Sequence, residues 1–357
     1  MQRDKGPLRF YAGEGAFREI RQRGFSEERI GTIAGASGGP KWLVLSQLDR
    51  VIIDRVLPKL PGPVHLLGSS IGAWRFACYA QRDPGAALER FENAYVEQSY
   101  SASPGLPEVT AKSREILATL LGDSGAAEIV THPTLRSHVL AVRSRRVTAS
   151  DVKPVLLSAL ACAAFANTLS RRCLGAFFSR SLFYDPRDLP PFYNAPGFRL
   201  ERVPLTQRNV ADAIAASGAI PTVLSGVRDI DGAPAGIYRD GGIIDYHLDL
   251  PLGEPDRLTF FPHFFGRLIP GWFDKGLKWR RHDGRHTDRI VLVCPAPEFV
   301  SRLPGGKVPD RSDFVRMPES ERVQRWRAVV HACHELADDF VRVLDGGRLA
   351  ARLEPLP

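Results

Sequence analysis

Short apolar runs that end at glycine-rich turns and continue directly into helical patterns constrain the fold of this chain more than any other feature. "PVHLLGSS" at 63–70 has the pattern of a buried strand, and "IGAWRFACYAQR" at 71–82 follows it as a helix without a linker. The same order occurs at 28–57, where "ERIGTIAGAS" precedes a helical pattern. Further strands are predicted at 136–144, 175–184, 235–242, 256–264 and 288–297, and further helices at 85–98, 107–121, 152–169, 206–221 and 319–344. Strands interleaved with helices predict an α/β fold whose mostly parallel sheet is covered on both faces.

The net charge and the cysteine pattern limit the class of protein to which this chain can belong. The net charge of +8 is compatible with nucleic acid, an anionic membrane or acidic substrates. No nucleic-acid-binding motif accompanies it, so we expect no nucleic-acid partner. The five cysteines are odd in number, widely spaced and without a CxxC pair, and the N-terminus lacks the apolar stretch of a secretory signal. These features favour reduced thiols in a cytoplasmic protein, and they leave the oligomeric state open.

A serine lies between two glycines at the first strand–helix junction. Gly68, Ser70 and Gly72 form a GxSxG pattern, in which a sharp turn exposes the serine oxygen at the end of the sheet. The helix N-terminus that follows places partial positive charge where an oxyanion would develop. The pattern favours Ser70 as a nucleophile, and the alternative is a tight turn with a capping serine.

A serine nucleophile needs a base within hydrogen-bonding reach. None of the nine histidines lies in a glycine-rich turn at the end of a strand, although His247 and His263, downstream of strands, stay open as alternatives. Asp240 does lie in such a turn, since "GIYRDGG" ends a strand at Asp240-Gly241-Gly242. The two glycines permit close approach to another loop, so Asp240 is the favoured base, with an ordinary turn as the alternative.

A third glycine-rich segment, "GASGGPKW" at 35–42, connects a predicted strand to a helix. Its amides can point at an anion, which suits an oxyanion hole for acyl transfer. It lacks both GxGxxG and GxxxxGK[ST], so nucleotide binding is disfavoured. Pro40 has no amide hydrogen and cannot itself donate.

These three motifs, in this order, resemble those of the patatin-like phospholipase family, and "ASGAIP" at 216–221 is similar to a further block of that family. The resemblance covers residues 28–255. It implies a three-layer α/β/α fold with Ser70 as nucleophile, Asp240 as base and the amides of Gly38 and Gly39 as oxyanion donors, without a metal or organic cofactor. Supporting positions are Lys41, Gly68, Gly72, Gly241 and Gly242. Three residues of the oxyanion loop depart from the family's pattern: Ser37, Lys41 and Trp42.

The resemblance further implies a hydrolase that cleaves carboxylic esters of lipids through an acyl-enzyme. An acyltransferase or a non-catalytic protein of the same fold at a membrane surface is the alternative. We predict that residues 1–300 form the hydrolase domain and 301–357 a C-terminal helical extension packed on it.

Two further segments carry expectations about the surface and the core. The segment 258–281 alternates aromatic and basic residues, and we expect it to lie near the mouth of the site and to contact lipid or an anionic membrane through Trp272, Phe273 and Lys278. The alternative is a strand followed by a surface loop with ordinary core aromatics. The apolar stretch at 154–166 is too short to span a membrane and is predicted to be a core helix.

Overall fold

A central sheet of eleven strands organises residues 6–357, the part of the chain that the computed structural model describes. Nine strands follow one another across the sheet in the order β11-β1-β10-β9-β2-β3-β4-β5-β6, while β8 pairs with β4 and with β7. The strands are β1 (Leu8–Ala12), β2 (Ile30–Gly35), β3 (Val64–Ser69), β4 (Leu135–Ser144), β5 (Phe178–Tyr184), β6 (Leu200–Pro204), β7 (Val227–Arg228), β8 (Ile237–Asp240), β9 (Leu258–Pro262), β10 (Ile290–Pro295) and β11 (Leu353–Pro355).

The middle of the sheet is parallel, because β10, β9, β2, β3 and β4 all run in the same direction. Every residue of β2, β3, β9 and β10 is buried, as expected for strands covered on both faces. Antiparallel pairs join β1 to β10 and β5 to β4 toward the edges.

Helices lie on both sides of this sheet, which gives the three-layer α/β/α architecture that the sequence predicts. They are α1 (Glu14–Arg23), α2 (Ser46–Val51), α3 (Ile71–Tyr79), α4 (Pro84–Val96), α5 (Leu106–Leu121), α6 (Gly125–Thr131), α7 (Lys153–Leu169), α8 (Val210–Ser217), α9 (Gly284–Thr287), α10 (Pro297–Arg302), α11 (Asp313–Arg316), α12 (Glu319–Ala332), α13 (His334–Asp345) and α14 (Leu349–Arg352). In residues 6–357, no helix combines the length and the apolar content needed to cross a bilayer.

Strand β4 brings the ends of β3 and β8 together. Residues 135–140 of β4 pair with β3 in parallel, and residues 141–143 pair with β8 in the antiparallel sense. Strands β3 and β8 therefore point toward each other along one side of β4. The last residue of β3, Ser69, is opposite Leu140, and the last residue of β8, Asp240, is opposite Ala141. This register places Ser70, the residue after β3, beside the carboxyl end of β8.

Three helical predictions need correction. The helix predicted at 319–344 is two helices, α12 and α13, that meet at Cys333. The segment 39–57 is helical but irregular, with a 3₁₀ stretch at Gly39–Leu45 before α2 and a π-helical stretch at Ile52–Val56 after it. The prediction of a core helix at 154–166 is wrong for the outer side of α7, since Phe165 and Leu169 are 69% and 73% exposed.

The C-terminal residues contact the sheet from two sides. Strand β11 adds to the edge of the sheet next to β1, and helix α13 packs against α2. Phe340 of α13 stacks between Phe10 and Phe260 of the sheet, with ring centroids 6.4 and 6.0 Å away. On these contacts we propose residues 301–357 as a C-terminal helical extension of the domain formed by 1–300.

Candidate active site

Ser70 occupies the turn between β3 and α3 in a strained backbone conformation. Its φ of 53° and ψ of −125° are unusual for a residue with a side chain. Its amide donates a hydrogen bond of 2.7 Å to the Ser217 hydroxyl, which in turn donates to the carbonyl of Leu140 at 2.6 Å. Ser217 belongs to the "ASGAIP" segment, so the fold uses that segment to hold the strained turn.

The small neighbours of Ser70 allow β3, α3 and β2 to approach closely. A Cβ atom on Gly72 would lie 2.0 Å from the carbonyl oxygen of Gly35, and one on Gly68 would lie 2.4 Å from the backbone of Ala73. Neither backbone can move away without disturbing the sheet. The glycines are therefore required by packing around the turn.

Asp240 lies directly against Ser70. The Ser70 hydroxyl donates to Asp240 Oδ2 at 2.7 Å, and the Gly242 amide donates to Oδ1 at 2.7 Å. Burial raises the pKa of Asp240 above its ordinary value, and the hydrogen bonds from Ser70 and Gly242 oppose this shift. Gly241 packs on the Leu140 carbonyl, where a side chain would clash. The two predicted dyad residues, 170 positions apart, thus share a hydrogen bond.

The glycine-rich loop after β2 forms another wall of the same cleft. Gly38, Gly39 and Lys41 line it together with Ser70 and Asp240. Gly39 has a positive φ of 56°, which suits a glycine. Among residues 6–357, the amides of Gly38 and Gly39 donate no hydrogen bond, so both are available to a ligand.

Ser37, which stands where the family has a glycine, lines the cleft and is held by two hydrogen bonds. Its hydroxyl donates to Ser69 Oγ at 3.0 Å, and its amide donates to the carbonyl of Tyr246 at 2.9 Å. The serine therefore fixes the loop to the residue before Ser70.

His247 and His263, the alternative bases that the sequence leaves possible, lie outside the cleft around Ser70. His247 and His263 are buried against each other, with ring centroids 4.3 Å apart, and burial lowers the pKa of each. The Nδ1 atom of His247 accepts a hydrogen bond of 2.9 Å from the Ile269 amide. Neither lines the cleft around Ser70, and both pack in the core.

Two connected clefts open at Ser70. The smaller has a volume of about 240 Å³ and contains Asp240 and the glycine-rich loop, while the larger measures about 870 Å³ and has apolar walls that include Ile71, Trp74 and Ile116. A small cleft that contains Ser70 and Asp240, joined to a larger and mostly apolar one, can hold the ester group and the alkyl chain of one molecule.

Sequence reasoning missed one element of these walls. Arg311 and Ser312 line both clefts, although they lie just before α11, in the C-terminal part of the chain. They lie about 240 positions beyond Ser70 in a loop without a recognisable motif. A residue brought in by a distant loop leaves no local signal in the sequence.

The aromatic and basic segment 258–281 is divided between several environments. Trp272 and Lys275 line the smaller cleft, and Phe273 packs against the apolar cluster beneath α7. Lys278 is exposed, and Trp279 is 68% exposed. The segment therefore forms part of the mouth of the site.

Comparison with known proteins gives one family. The model of the family described as "Patatin-like phospholipase" matches residues 52–247, more than half of the chain. No curated protein matches. Among solved structures, the chain is similar to the crystal structure of VipD from Legionella pneumophila, with 12% identity, a TM-score of 0.36, and coverage of 94% of this chain and 70% of that chain.

Proposed function

The chain belongs to the patatin-like phospholipase family, and on that premise we propose that it is a serine acyl hydrolase that cleaves carboxylic esters of lipids. The observation that carries the proposal is the hydrogen bond of 2.7 Å between the Ser70 hydroxyl and Asp240, formed at a strained turn that opens into two clefts. Ser70 is the nucleophile, Asp240 the general base, and the amides of Gly38 and Gly39 the oxyanion donors.

Acylation begins when the Ser70 oxygen attacks the ester carbonyl carbon. Asp240 accepts the hydroxyl proton as the new carbon–oxygen bond forms, and the negative charge on the carbonyl oxygen is stabilised by amides of the glycine-rich loop. The bond to the alcohol then breaks, and Asp240 returns the proton to the departing alkoxide. The products of this half-reaction are the alcohol and an acyl ester of Ser70.

Deacylation repeats the same steps with water. The water oxygen attacks the acyl carbonyl carbon while Asp240 accepts a proton from the water. The bond to the Ser70 oxygen then breaks, Asp240 gives the proton to that oxygen, and the fatty acid is released. Each proton that Asp240 takes up is given back, so the cycle needs no group beyond the side chains and amides of the site.

The wide apolar cleft supports a lipid as substrate. Its volume of about 870 Å³ exceeds the needs of a small ester, and its apolar walls favour an alkyl chain. We further propose that the enzyme is cytoplasmic and meets an anionic membrane peripherally through the segment 258–281, whose Trp279 is exposed beside Lys278.

Labelling by a fluorophosphonate tests the dyad through its pH dependence. We expect the reagent to label Ser70, and the rate to fall on acidification because protonated Asp240 cannot accept the serine proton. Since burial raises the pKa of Asp240, the midpoint should lie above the ordinary aspartate value of about 3.9. The rate of adduct formation on the peptide containing Ser70, followed by mass spectrometry, is the measurement.

Two variants serve as controls for the labelling. Ser70→Ala should show no adduct at any pH, and Asp240→Asn should be labelled slowly without the acidic limb. Adducts on other residues, or equal rates for wild type and Asp240→Asn, would remove the basis for the dyad.

A further inference from the structure

Three basic side chains from separate segments converge on the smaller cleft beside Ser70. They are Lys41 of the glycine-rich loop, Lys275 and Arg311. Within residues 6–357, none of the three forms an ion pair within 4 Å or donates a side-chain hydrogen bond, whereas the neighbouring Lys307 pairs with both Asp310 and Asp313. The cleft therefore holds cations that the protein itself leaves without an anion.

The carboxylates nearby are already engaged. Asp240 accepts hydrogen bonds from Ser70 and from the Gly242 amide, and Asp310 accepts from Lys307 and Ser312. Partial burial, followed by repulsion from Arg311 and Lys41, lowers the pKa of Lys275 to about 7. Its ammonium group lies 4.0 Å from the centre of the Tyr246 ring, a contact that keeps it at the cleft wall. A bound anion would relieve the repulsion between these cations.

The cations are close to where the ester must lie. A Cβ atom on Gly39 would be 3.5 Å from Arg311 Cγ, so Arg311 flanks a proposed oxyanion donor. Arg311 also lines the apolar cleft, which places it at the junction of the ester and alkyl-chain sites. A ligand bound across this junction would present its polar group to Arg311 and Lys275.

We propose that Lys275 and Arg311 bind the anionic headgroup of the substrate and make the enzyme selective for lipid esters with a net negative headgroup, such as a phosphate monoester. This inference rests on the proposed function and specifies its substrate. A choline group would bring a positive charge into a cationic cleft, and a neutral glyceride would leave the cations unpaired, so both are disfavoured. Both residues lie outside the region 52–247 that the family model matches.

The test uses binding, so that its outcome is separate from catalysis. In the Ser70→Ala background, titration calorimetry with dihexanoyl phosphatidic acid and dihexanoyl phosphatidylcholine should show preference for the first by about tenfold or more. Lys275→Gln with Arg311→Gln should bring the ratio of the two dissociation constants close to one. Lys278→Gln, an exposed lysine in the same segment and outside both clefts, is the matched control and should leave the ratio as it was.

Inorganic phosphate distinguishes a headgroup site from a site for free anions. If phosphate competes only weakly with dihexanoyl phosphatidic acid, the alkyl chains supply most of the affinity of the lipid, and this result supports the headgroup site. Phosphate that binds as tightly as the short-chain phosphatidic acid, or a lipid preference that survives Lys275→Gln with Arg311→Gln, would overturn the proposal. An inactive enzyme with this binding pattern would refute only the proposed hydrolysis.

A second and independent observation concerns the exposed side of α7. In residues 6–357, ten large hydrophobic side chains are exposed, and six of them lie in the segment 147–169. We call these six side chains the α7 face: Val147, Val152, Val155, Leu157, Phe165 and Leu169. Exposed hydrophobic side chains concentrated in one segment in this way favour a contact with another surface.

The exposed charged residues at the two ends of α7 are basic. Residues 152–184 contain no Asp or Glu, and Lys153 and Arg172 are exposed at the two ends of α7. Asp151, just before α7, is paired with Arg228 and Arg239. A second copy of this chain would bring like charges together across a two-fold contact, whereas an anionic bilayer complements both the apolar and the basic residues.

The α7 face lies at the same edge of the sheet as the site. Strand β4 runs parallel to β3 and leads into α7 from its carboxyl end, the edge at which Ser70 follows β3. The Arg280 guanidinium donates to the Asn167 carbonyl of α7 at 2.7 Å, so the exposed Trp279 lies beside the end of this helix. We infer that the α7 face docks on an anionic bilayer and brings the mouth of the clefts to the lipid.

Sedimentation with vesicles tests this surface without catalysis. The Ser70→Ala protein should bind vesicles of phosphatidylcholine and phosphatidylglycerol in equal parts, and Phe165→Ser with Leu169→Ser should lower the partition coefficient by about tenfold or more. Lys153→Glu with Arg172→Glu should weaken binding to these vesicles and reduce its dependence on salt. Introduced into the protein that keeps Ser70, either pair should leave the rate of the fluorophosphonate reaction in solution unchanged.

Leu189→Ser is the matched control for the serine substitutions. Leu189 is 64% exposed and follows Asp188, which binds Arg136 at the amino end of β4, the opposite edge of the sheet. The Leu189→Ser substitution should leave binding to the vesicles unchanged. Equal binding by the Phe165→Ser and Leu169→Ser protein, or dimerisation that depends on these two residues, would overturn the inference.

Discussion

Ser70→Ala and Asp240→Asn are each expected to lower kcat/KM for ester hydrolysis by about 10⁴-fold. Alanine removes the oxygen that would form the acyl-enzyme. Asparagine fills the same space as Asp240 but cannot accept the Ser70 proton across the contact of 2.7 Å. The double variant should be about as inactive as either single variant, because the two side chains act in the same step. Initial rates with p-nitrophenyl esters and with short-chain phospholipids are the measurement.

Ser113→Ala is the control for these losses. Ser113 lines the apolar cleft and not the smaller one, so its removal should leave turnover of small esters nearly unchanged. If Ser70→Ala or Asp240→Asn kept more than about a tenth of the wild-type rate, the hydrolysis would have to come from another site.

Asp49→Ala is expected to lower the free energy of unfolding by about 3–5 kcal/mol, the largest loss of stability that we predict. Asp49 on α2 accepts from Arg75 Nε at 2.8 Å and from the Tyr79 hydroxyl at 2.8 Å, both on α3. The side chains of Arg75 and Asp49 are 2% and 0% exposed. Alanine would leave the guanidinium buried without its counter-charge in the helix that begins at Ser70. Urea denaturation of both proteins gives the difference.

An exposed ion pair provides the comparison. Arg55 and Asp345 are 45% and 56% exposed and lie 2.5 Å apart, so Asp345→Ala should cost about 0–1 kcal/mol. Similar losses for Asp345→Ala and Asp49→Ala would mean that burial of the Arg75 pair contributes little.

The central part of the fold could be predicted from the sequence because its signals are local. Strand β2 ends at Gly35 and β3 at Gly68 and Ser69, and helix α3 starts directly after Ser70. The glycines have a physical cause that the structure makes visible, since a side chain at Gly72 would overlap the Gly35 carbonyl. The meeting of Ser70 and Asp240 follows from the register of β3 and β8 on β4, which no local pattern contains.

The error at α7 has a different origin. The segment 154–166 is apolar on all sides, so its composition predicts burial without indicating which side faces the sheet. Leu156, Leu160 and Ala163 are buried, and the opposite side is left open. The break at Cys333 was missed for a related reason, because the helical pattern continues through it.

Arg311 was the least predictable cation of the cleft, because Lys41 belongs to the predicted oxyanion loop and Lys275 to the aromatic and basic segment 258–281. Lys275 and Arg311 come from loops whose basic residues resemble the many exposed lysines and arginines of this chain. What distinguishes them from surface charges is that both line the same cleft and that neither forms an ion pair with another residue in the described part of the chain. This is a property of tertiary structure alone.

The most direct test of the account is to trap the acyl-enzyme. When the protein turns over a p-nitrophenyl ester and is quenched in acid, mass spectrometry should find the acyl group on the peptide that contains Ser70. Released fatty acid should be the product in water, and a transferred acyl group with an added alcohol would indicate an acyltransferase. Turnover with no acyl adduct on Ser70, or an unchanged rate of turnover by the Ser70→Ala protein, would contradict this mechanism.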